Sequence, residues 1–361
     1  MVSAFGSIVV NGTEFYTNNA SVIINGEEVG FGDDDVLENT DIGMVVTVEG
    51  WISRDRARFT AGRVIYSANV VGPVSSVGPI DPDRNEKEIE VLGQIVVVNF
   101  ITKFKPDTYG FDSIAANDVV EVSGYLDDTG AVRATFIEKT GVFTPGLVVE
   151  VKGSVLNLDT VNKTFEINNL LIDYALADIS SLPAGQLTEE LFVEVEGTID
   201  TLDGEMNAAK IILGDKLEGE DGDDFEIMGF VTDVVSAFEF TIGNQVVRTD
   251  ADTLFVDGKP DDIALGAKLE AEGTMVDGIF LADEIEFWKT DQIEIEGIVT
   301  EVVSESEFKI GIQNVQTDDD NTVFEPPDLE IREGVNLEVK GVPQDIDHRV
   351  IAADKVSLEL D

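Results

Sequence analysis

The chain has 361 residues, 43% of them hydrophobic, and carries 23 Lys and Arg against 73 Asp and Glu, a formal net charge of −50. Such an acid excess repels phosphate backbones and anionic lipid, which argues against nucleic acid and membrane as partners. Cysteine is absent, which excludes disulfides, thiolate nucleophiles and iron–sulfur ligation, and no apolar run approaches the length of a membrane span.

The start, "MVSAFGSIVVNGTEF", has neither a basic n-region nor an unbroken apolar h-region, so no signal peptide is visible. The first strongly patterned strand is "VTVEGWIS", Val46–Ser53. Residues i and i+2 of a strand share a face, so Val46, Val48, Gly50 and Ile52 point together and the glycine faces inward. The same stretch returns as "VEVSGYLD" (Val120–Asp127), "VEVEGTID" (Val193–Asp200), "LEAEGTMV" (Leu269–Val276) and "LEVKGVPQ" (Leu337–Gln344). Gly50, Gly124, Gly197, Gly273 and Gly341 are therefore spaced by 74, 73, 76 and 68 residues, intervals too long for a solenoid coil and suited to small domains.

A second inward glycine opens each unit: Gly153 in "VEVKGSV", Gly229 in "FEIMGFV", Gly297 in "IEIEGIV", and more loosely Gly6 and Gly72. In a small closed barrel such glycines relieve crowding where strands bend from one wall to the next. The expected boundaries are 1–68, 69–140, 147–213, 223–287 and 291–361. Within the third unit, "VVEVKGSVLNLD", "TFEIN" and "LLIDYALA" read as three strands, "ISSLPAGQLTEE" as a loop or short helix, and "LFVEVEGTIDTLD" and "MNAAKIIL" as two more strands. This order predicts an all-β chain of five tandem small OB-like Greek-key barrels joined by short linkers. An up-and-down barrel or small sandwich is the alternative.

The opening "FGSIVVNG…F" at Phe5–Phe15, "IGMVVTVEG" at Ile42–Gly50, and the "G-x-x-x-A" endings in "TGAVRATFIEK" and "DGIFLADEIEF" resemble the tandem β-barrel domains of unknown function found in bacterial, often marine, envelope proteins. The resemblance implies an OB-like fold and secretion to the cell envelope or exterior, and it supplies no catalytic residues. With no visible signal peptide, the chain reads either as a mature form or as a cytoplasmic protein.

Chemistry is sparse. The one histidine, His348, reads as a surface turn residue, which leaves no Ser/His/Asp or His–metal constellation. Trp51 and Tyr125 directly follow the fourth-strand glycine where other units have Thr198, Thr274 and Val342, and this reads as a tolerated half-exposed position. Hard cations want several oxygens from one short loop. The candidate calcium ligands are Asp33, Asp34 and Asp35 in "FGDDDVLENTD", Asp221, Asp223 and Asp224 in "EGEDGDD", and Asp318, Asp319 and Asp320 in "TDDDN". No other cofactor is expected, and no enzyme activity. The one basic cluster, Arg54, Arg56, Arg58 and Arg63, reads as an assembly surface. Residues 1–69 carry a net charge of −6 against −15 for residues 214–289, an asymmetry that suits head-to-tail self-association. The function expected is that of a non-enzymatic envelope or extracellular scaffold, filament subunit or adhesin spacer, with a cation-dependent ligand-binding module as the alternative.

Overall fold

A computed structural model describes residues 2–5, 8–11, 13–52, 59–82, 84–202, 204–214, 222–277, 279–311, 313–318, 320–344 and 350–358. Among the described residues strands take 59% and helices 5%, so the all-β expectation holds. Among the described residues the strands form four sheets, of seven, twelve, six and six strands. Contacts divide the chain into two compact units, one comprising Met1–Tyr66 and Lys289–Asp361, the other Ser67–Trp288.

The fourth repeat shows the recurring pattern. Its long first strand, Asp224–Ser236, pairs through its first half with the fourth strand, Lys268–Val276. Its second half turns onto the second strand, Glu239–Ile242. The third strand, Gln245–Arg248, and a short segment, Leu254–Val256, both run parallel to the fifth, Ile279–Trp288. The fifth repeat repeats this order strand for strand from Ile293–Ser304 to Val350–Leu358.

Glycine sits at both bends for steric reasons. A Cβ on Gly153, Gly229 or Gly297 would lie 2.4, 2.9 or 2.8 Å from the Cγ2 of Ile167, Ile242 or Ile310. Each of these isoleucines ends its second strand and is buried. Gly72 stands in the same relation to Leu92. The first strand is thus notched where it bends, and the notch holds a core side chain.

The fourth-strand glycines have a different neighbour. Gly50, Gly124, Gly197, Gly273 and Gly341 pair with Ala61, Ala134, Ala208, Ala282 and Ala353 of the fifth strands, and the register slips immediately before each glycine. A Cβ there would come within 2.0–2.4 Å of the carbonyl oxygen preceding that alanine. These glycines therefore lie in strands at bulges. Four of them are buried; Gly50 is exposed.

Two features go beyond the expected plan. The second and third repeats are also joined edge to edge through their first strands. The first strand of the second repeat, Val70–Val77, pairs on one side with Asp118–Leu126 and on the other with Leu147–Ser154. This makes one twelve-stranded sheet over one continuous core that runs from Val70 to Ile211. The reason is an unprotected edge: a first strand with apolar residues on both faces accepts a second neighbour.

The first repeat also departs from the pattern. Val2–Phe5 pairs antiparallel with Ile8–Val10, Val2 opposite Val10, as the end of the first strand pairs with the second strand in the fourth and fifth repeats; Gly6 lies outside the described residues. An added strand, Glu27–Phe31, and a seven-residue helix, Asp33–Asn39, precede the fourth strand, Val46–Ile52. Three aspartates in the first turn of that helix complement its positive end.

Candidate functional site

The acidic runs singled out in the sequence are put to structural use. Asp33, Asp34 and Asp35 open the short helix. The Asp33 carboxylate accepts hydrogen bonds from Thr17 Oγ1 at 2.6 Å and Asn18 Nδ2 at 2.5 Å, and Asp35 Oδ2 accepts one from the Phe31 amide at 2.5 Å. Asp224 begins a strand, and the Asp223 carbonyl accepts from the Met275 amide. Asp221, Asp319, Arg54, Arg56, Arg58 and His348 lie outside the described residues. Among the described residues no group of three or more His, Asp or Glu is arranged to hold a metal. Arg63 donates to Glu49 Oε2 at 2.7 Å across the first-repeat sheet.

Asp318 belongs to a motif that the sequence reading missed. Its carboxylate accepts from the Asp320 amide at 2.9 Å and from Asn321 Nδ2 at 3.0 Å. These bonds hold its pKa below the ordinary aspartate value, the Asp320 amide contributing most. The Asp318 amide donates to Thr322 Oγ1, which in turn donates to the buried carbonyl of Ala353 at 2.7 Å. Asp250 and Thr253 repeat this with Ala282, and Asn99 and Thr102 with Ala134. The signal was present as Asp or Asn three or four residues before Thr, ahead of each short parallel strand. These turns commit the Asp and Asn side-chain oxygens to local hydrogen bonds.

The most perturbed carboxyl lies where the second and third repeats share their sheet. Glu121, Val71, Glu150 and Glu196 stand opposite one another across four adjacent strands. The next row, Val122, Val70, Val151 and Val195, faces the core and is fully buried. Burial pushes Glu150 up to about 7, with Glu194, Glu196 and Glu121 adding to the shift and Lys152 opposing it. Lys152 pairs with Glu194 at 3.5 Å, and Ser67 Oγ donates to the same carboxylate at 2.9 Å. A carboxyl that takes up a proton near neutrality thus sits in the seam between two repeats.

A second seam joins the second repeat to the fourth. Arg133 reaches Glu86 at 3.3 Å and Asp127 at 3.4 Å, and its guanidinium lies 5.7 Å from the Phe230 ring centroid. The Tyr125 hydroxyl is buried beside Glu270 and Glu226 without a hydrogen-bond partner. Tyr125 as a whole is partly exposed, as expected, while its hydroxyl end is buried in this interface.

The family model "Domain of unknown function (DUF5666)" matches residues 71–138, 228–286 and 296–356, together more than half of the chain. The chain belongs to the DUF5666 family. The matched segments coincide with the second, fourth and fifth repeats, the three that show the short strand parallel to the fifth and the Asp/Asn–Thr turn. No curated protein matches the chain. The solved structure of drosophila Unr CSD456 is a distant neighbour, at 13% identity over 58% of this chain and 96% of that one, with a TM-score of 0.15. Among the described residues no helix is long and apolar enough to cross a membrane.

Proposed function

We propose that this DUF5666 chain is a non-enzymatic scaffold of the cell envelope or extracellular space, built of five OB-like Greek-key barrels. The observation that carries this reading is the backbone pairing of the second and third repeats into one sheet over one core. Sheet edges that are used to join repeats suit transmission of position and load along a chain. The barrel assignment is supported by the first strand shared between fourth and second strands and by the third strand parallel to the fifth.

Two strongly perturbed groups, Glu150 and Tyr125, lie in seams between repeats. Head-to-tail association of the least acidic first repeat with the acidic fourth goes with this reading, and salt or divalent cations would promote it by screening. A ligand-binding module is the second reading. The divergence of the first repeat, with its added strand and helix, favours it.

The test is a thermal-shift screen of the full chain against sugars, nucleotides, amino acids and divalent cations, with electron microscopy of the same samples. A scaffold keeps its midpoint with every small molecule, because nothing binds the folded state preferentially, and responds to divalent cations only through screening. A saturable rise with one small molecule overturns the scaffold in favour of the ligand-binding module.

A further inference from the structure

The joint between the second and third repeats is made of equivalent parts. Val70 stands opposite Val151 and Val71 opposite Glu150, in antiparallel register. Counted back from the first-strand glycines, Gly72 and Gly153, Val70 and Val151 occupy the same position. Exchanging the two strands therefore leaves the register unchanged, as a twofold axis through the Val70–Val151 pair requires. The turns between second and third strands meet as well. Gln94 Nε2 donates to the Ile167 carbonyl at 3.1 Å, and Asn168 Nδ2 donates to Gln94 Oε1 at 2.7 Å. Two repeats of one chain thus make the contact that two copies of a subunit make in an isologous dimer.

The fifth repeat carries the same parts. Ile293 faces Gly341 as Val149 faces Gly197. The Val299 amide donates to the Val335 carbonyl as the Val155 amide does to that of Leu191. Alternation along the strand then turns the backbone of Ile293, Ile295 and Gly297 to the fourth strand and that of Glu294 and Glu296 to the opposite edge. In the third repeat this is the edge where the Lys152 amide donates to the Asn69 carbonyl at 3.0 Å. Among the described residues the first half of Ile293–Ser304 pairs as a strand with the fourth strand alone. The core registers the difference: Val149, Val151 and Gly153 are buried, whereas Ile293, Ile295 and Gly297 are partly exposed. Gln313 opens the third strand as Gln94 does. In the fourth repeat the bend of the first strand, at Gly229, already lies beside Tyr125.

We propose that two copies of this chain join through their fifth repeats, the strands Ile293–Gly297 laid antiparallel about a twofold axis at Ile295. The register of the Val70–Val151 joint sets Ile295 against Ile295 of the second copy, Ile293 against Gly297, and Glu294 against Glu296. The two partly exposed isoleucines of each copy then close over one shared core, as Val70 and Val151 do at 0% exposure. Gln313 of each copy is placed to donate to the Ile310 carbonyl of the other, so the Gln94–Ile167 hydrogen bond is made twice. The like charges of Glu294 and Glu296 oppose the contact, although Lys340 pairs with Glu294 at 3.5 Å as Lys152 does with Glu194. Salt that screens these carboxylates therefore favours the dimer. The inference does not rest on the scaffold reading, which a saturable small-molecule shift of the midpoint would overturn while leaving the dimer in place.

The test is sedimentation equilibrium of the full chain and of single variants. In about 0.5 M sodium chloride, where charge repulsion is screened, the parent should reach a dimer and nothing larger, because a twofold contact closes. Glu296→Lys sets a lysine against Glu294 twice and should tighten the dimer about tenfold. Glu305→Lys makes the same change of charge on the exposed turn after the first strand and should leave the affinity unchanged. The chain has no cysteine, so Ile295→Cys reports the axis directly. Residues opposed across it have Cα atoms about 4.5 Å apart, within reach of a disulfide. Ile295→Cys should therefore oxidise to a covalent dimer, and Glu305→Cys should not. A parent that stays monomeric overturns the proposal, as does growth into open-ended polymers, which marks head-to-tail association instead. Equal tightening by the two lysine variants, or equal cross-linking by the two cysteine variants, also overturns it, since the contact then lies elsewhere.

Discussion

Gly197 stands opposite Ala208 where the fourth and fifth strands of the third repeat slip register, and a Cβ on Gly197 would lie 2.3 Å from the Asn207 carbonyl oxygen. That contact is with backbone, so no rotamer relieves it. Gly197→Ala should therefore destabilise by about 1–3 kcal/mol, the usual range for overpacking. A methyl group on Gly110 would meet nothing within 4 Å, and the backbone there is extended, a conformation that any residue adopts. Gly110→Ala should accordingly stay within about 0.5 kcal/mol of the parent. Urea midpoints of the two variants check the pair. Equal effects would remove the steric account of the repeat.

Much of this was legible because it is local. The inward register of the glycines follows from period-two alternation, and the five strands of the third repeat appear in the order read from "VVEVKGSVLNLD" to "MNAAKIIL". What glycine avoids was not legible. The alanine of the "G-x-x-x-A" ending and the glycine some ten residues before it lie on different strands, and only their pairing shows that one carbonyl excludes a side chain from the other. The shared sheet was hidden for the same reason: whether Val70 and Val71 take one neighbour or two is decided by strands distant in sequence. The acidic runs misled because Asp serves equally as a cation ligand, a helix-start residue and a turn former, and composition cannot choose among them.

The threonine of the recurring turn should matter more than its aspartate neighbours. Thr253 Oγ1 accepts from the Asp250 amide and donates to the Ala282 carbonyl, both at about the ordinary hydrogen-bond distance. Thr253→Val leaves that buried carbonyl without its donor and should cost about 1–3 kcal/mol, while Thr253→Ser should retain most of the stability. Thermal denaturation of both variants distinguishes a lost hydrogen bond from a change of side-chain volume.

Calcium should act on this protein as charge screening. The carboxylates of Asp33, Asp35 and Asp318 are occupied by hydrogen bonds within the chain. At constant ionic strength, millimolar calcium should raise the Tm no more than magnesium does. A saturable calcium-specific rise, abolished by Asp318→Asn, would assign that turn to a cation after all.

The seam around Glu150 makes stability depend on pH in a stated direction. Its folded pKa is raised from 4.5 to about 7, so the folded state binds more protons than the unfolded state between those values. Stability must then fall as pH rises from about 4.5 to 7 and level off above. Glu150→Gln should flatten that fall and stabilise the shared sheet at pH 8 by on the order of 1 kcal/mol, after allowance for solvent screening. Denaturation midpoints at pH 5 and pH 8 for both proteins test it. A fall of the same size in Glu150→Gln would place the pH dependence in other carboxylates.

Tyr125 offers the reverse test, a residue whose polar atom should be better removed. It follows Gly124 in the fourth strand of the second repeat, and its ring lies against the first strand of the fourth repeat, where a Cβ on Gly229 would be 3.9 Å from Cδ1. Its hydroxyl is buried without a partner. Burial, then the carboxylates of Glu270 and Glu226, push its pKa well above the ordinary tyrosine value, so it stays neutral across the physiological range. A buried hydroxyl with no hydrogen bond costs about 1–3 kcal/mol relative to an apolar group of the same shape. Tyr125→Phe keeps the ring and deletes that cost, and should stabilise by about 1 kcal/mol. Arg133→Ala in the same seam should do the opposite, because it removes the partner of Glu86 and Asp127 and the cation beside Phe230. Loss of stability in Tyr125→Phe would mean that the hydroxyl donates to Glu270 or Glu226 in solution, and the seam would then be held by that hydrogen bond rather than by ring packing.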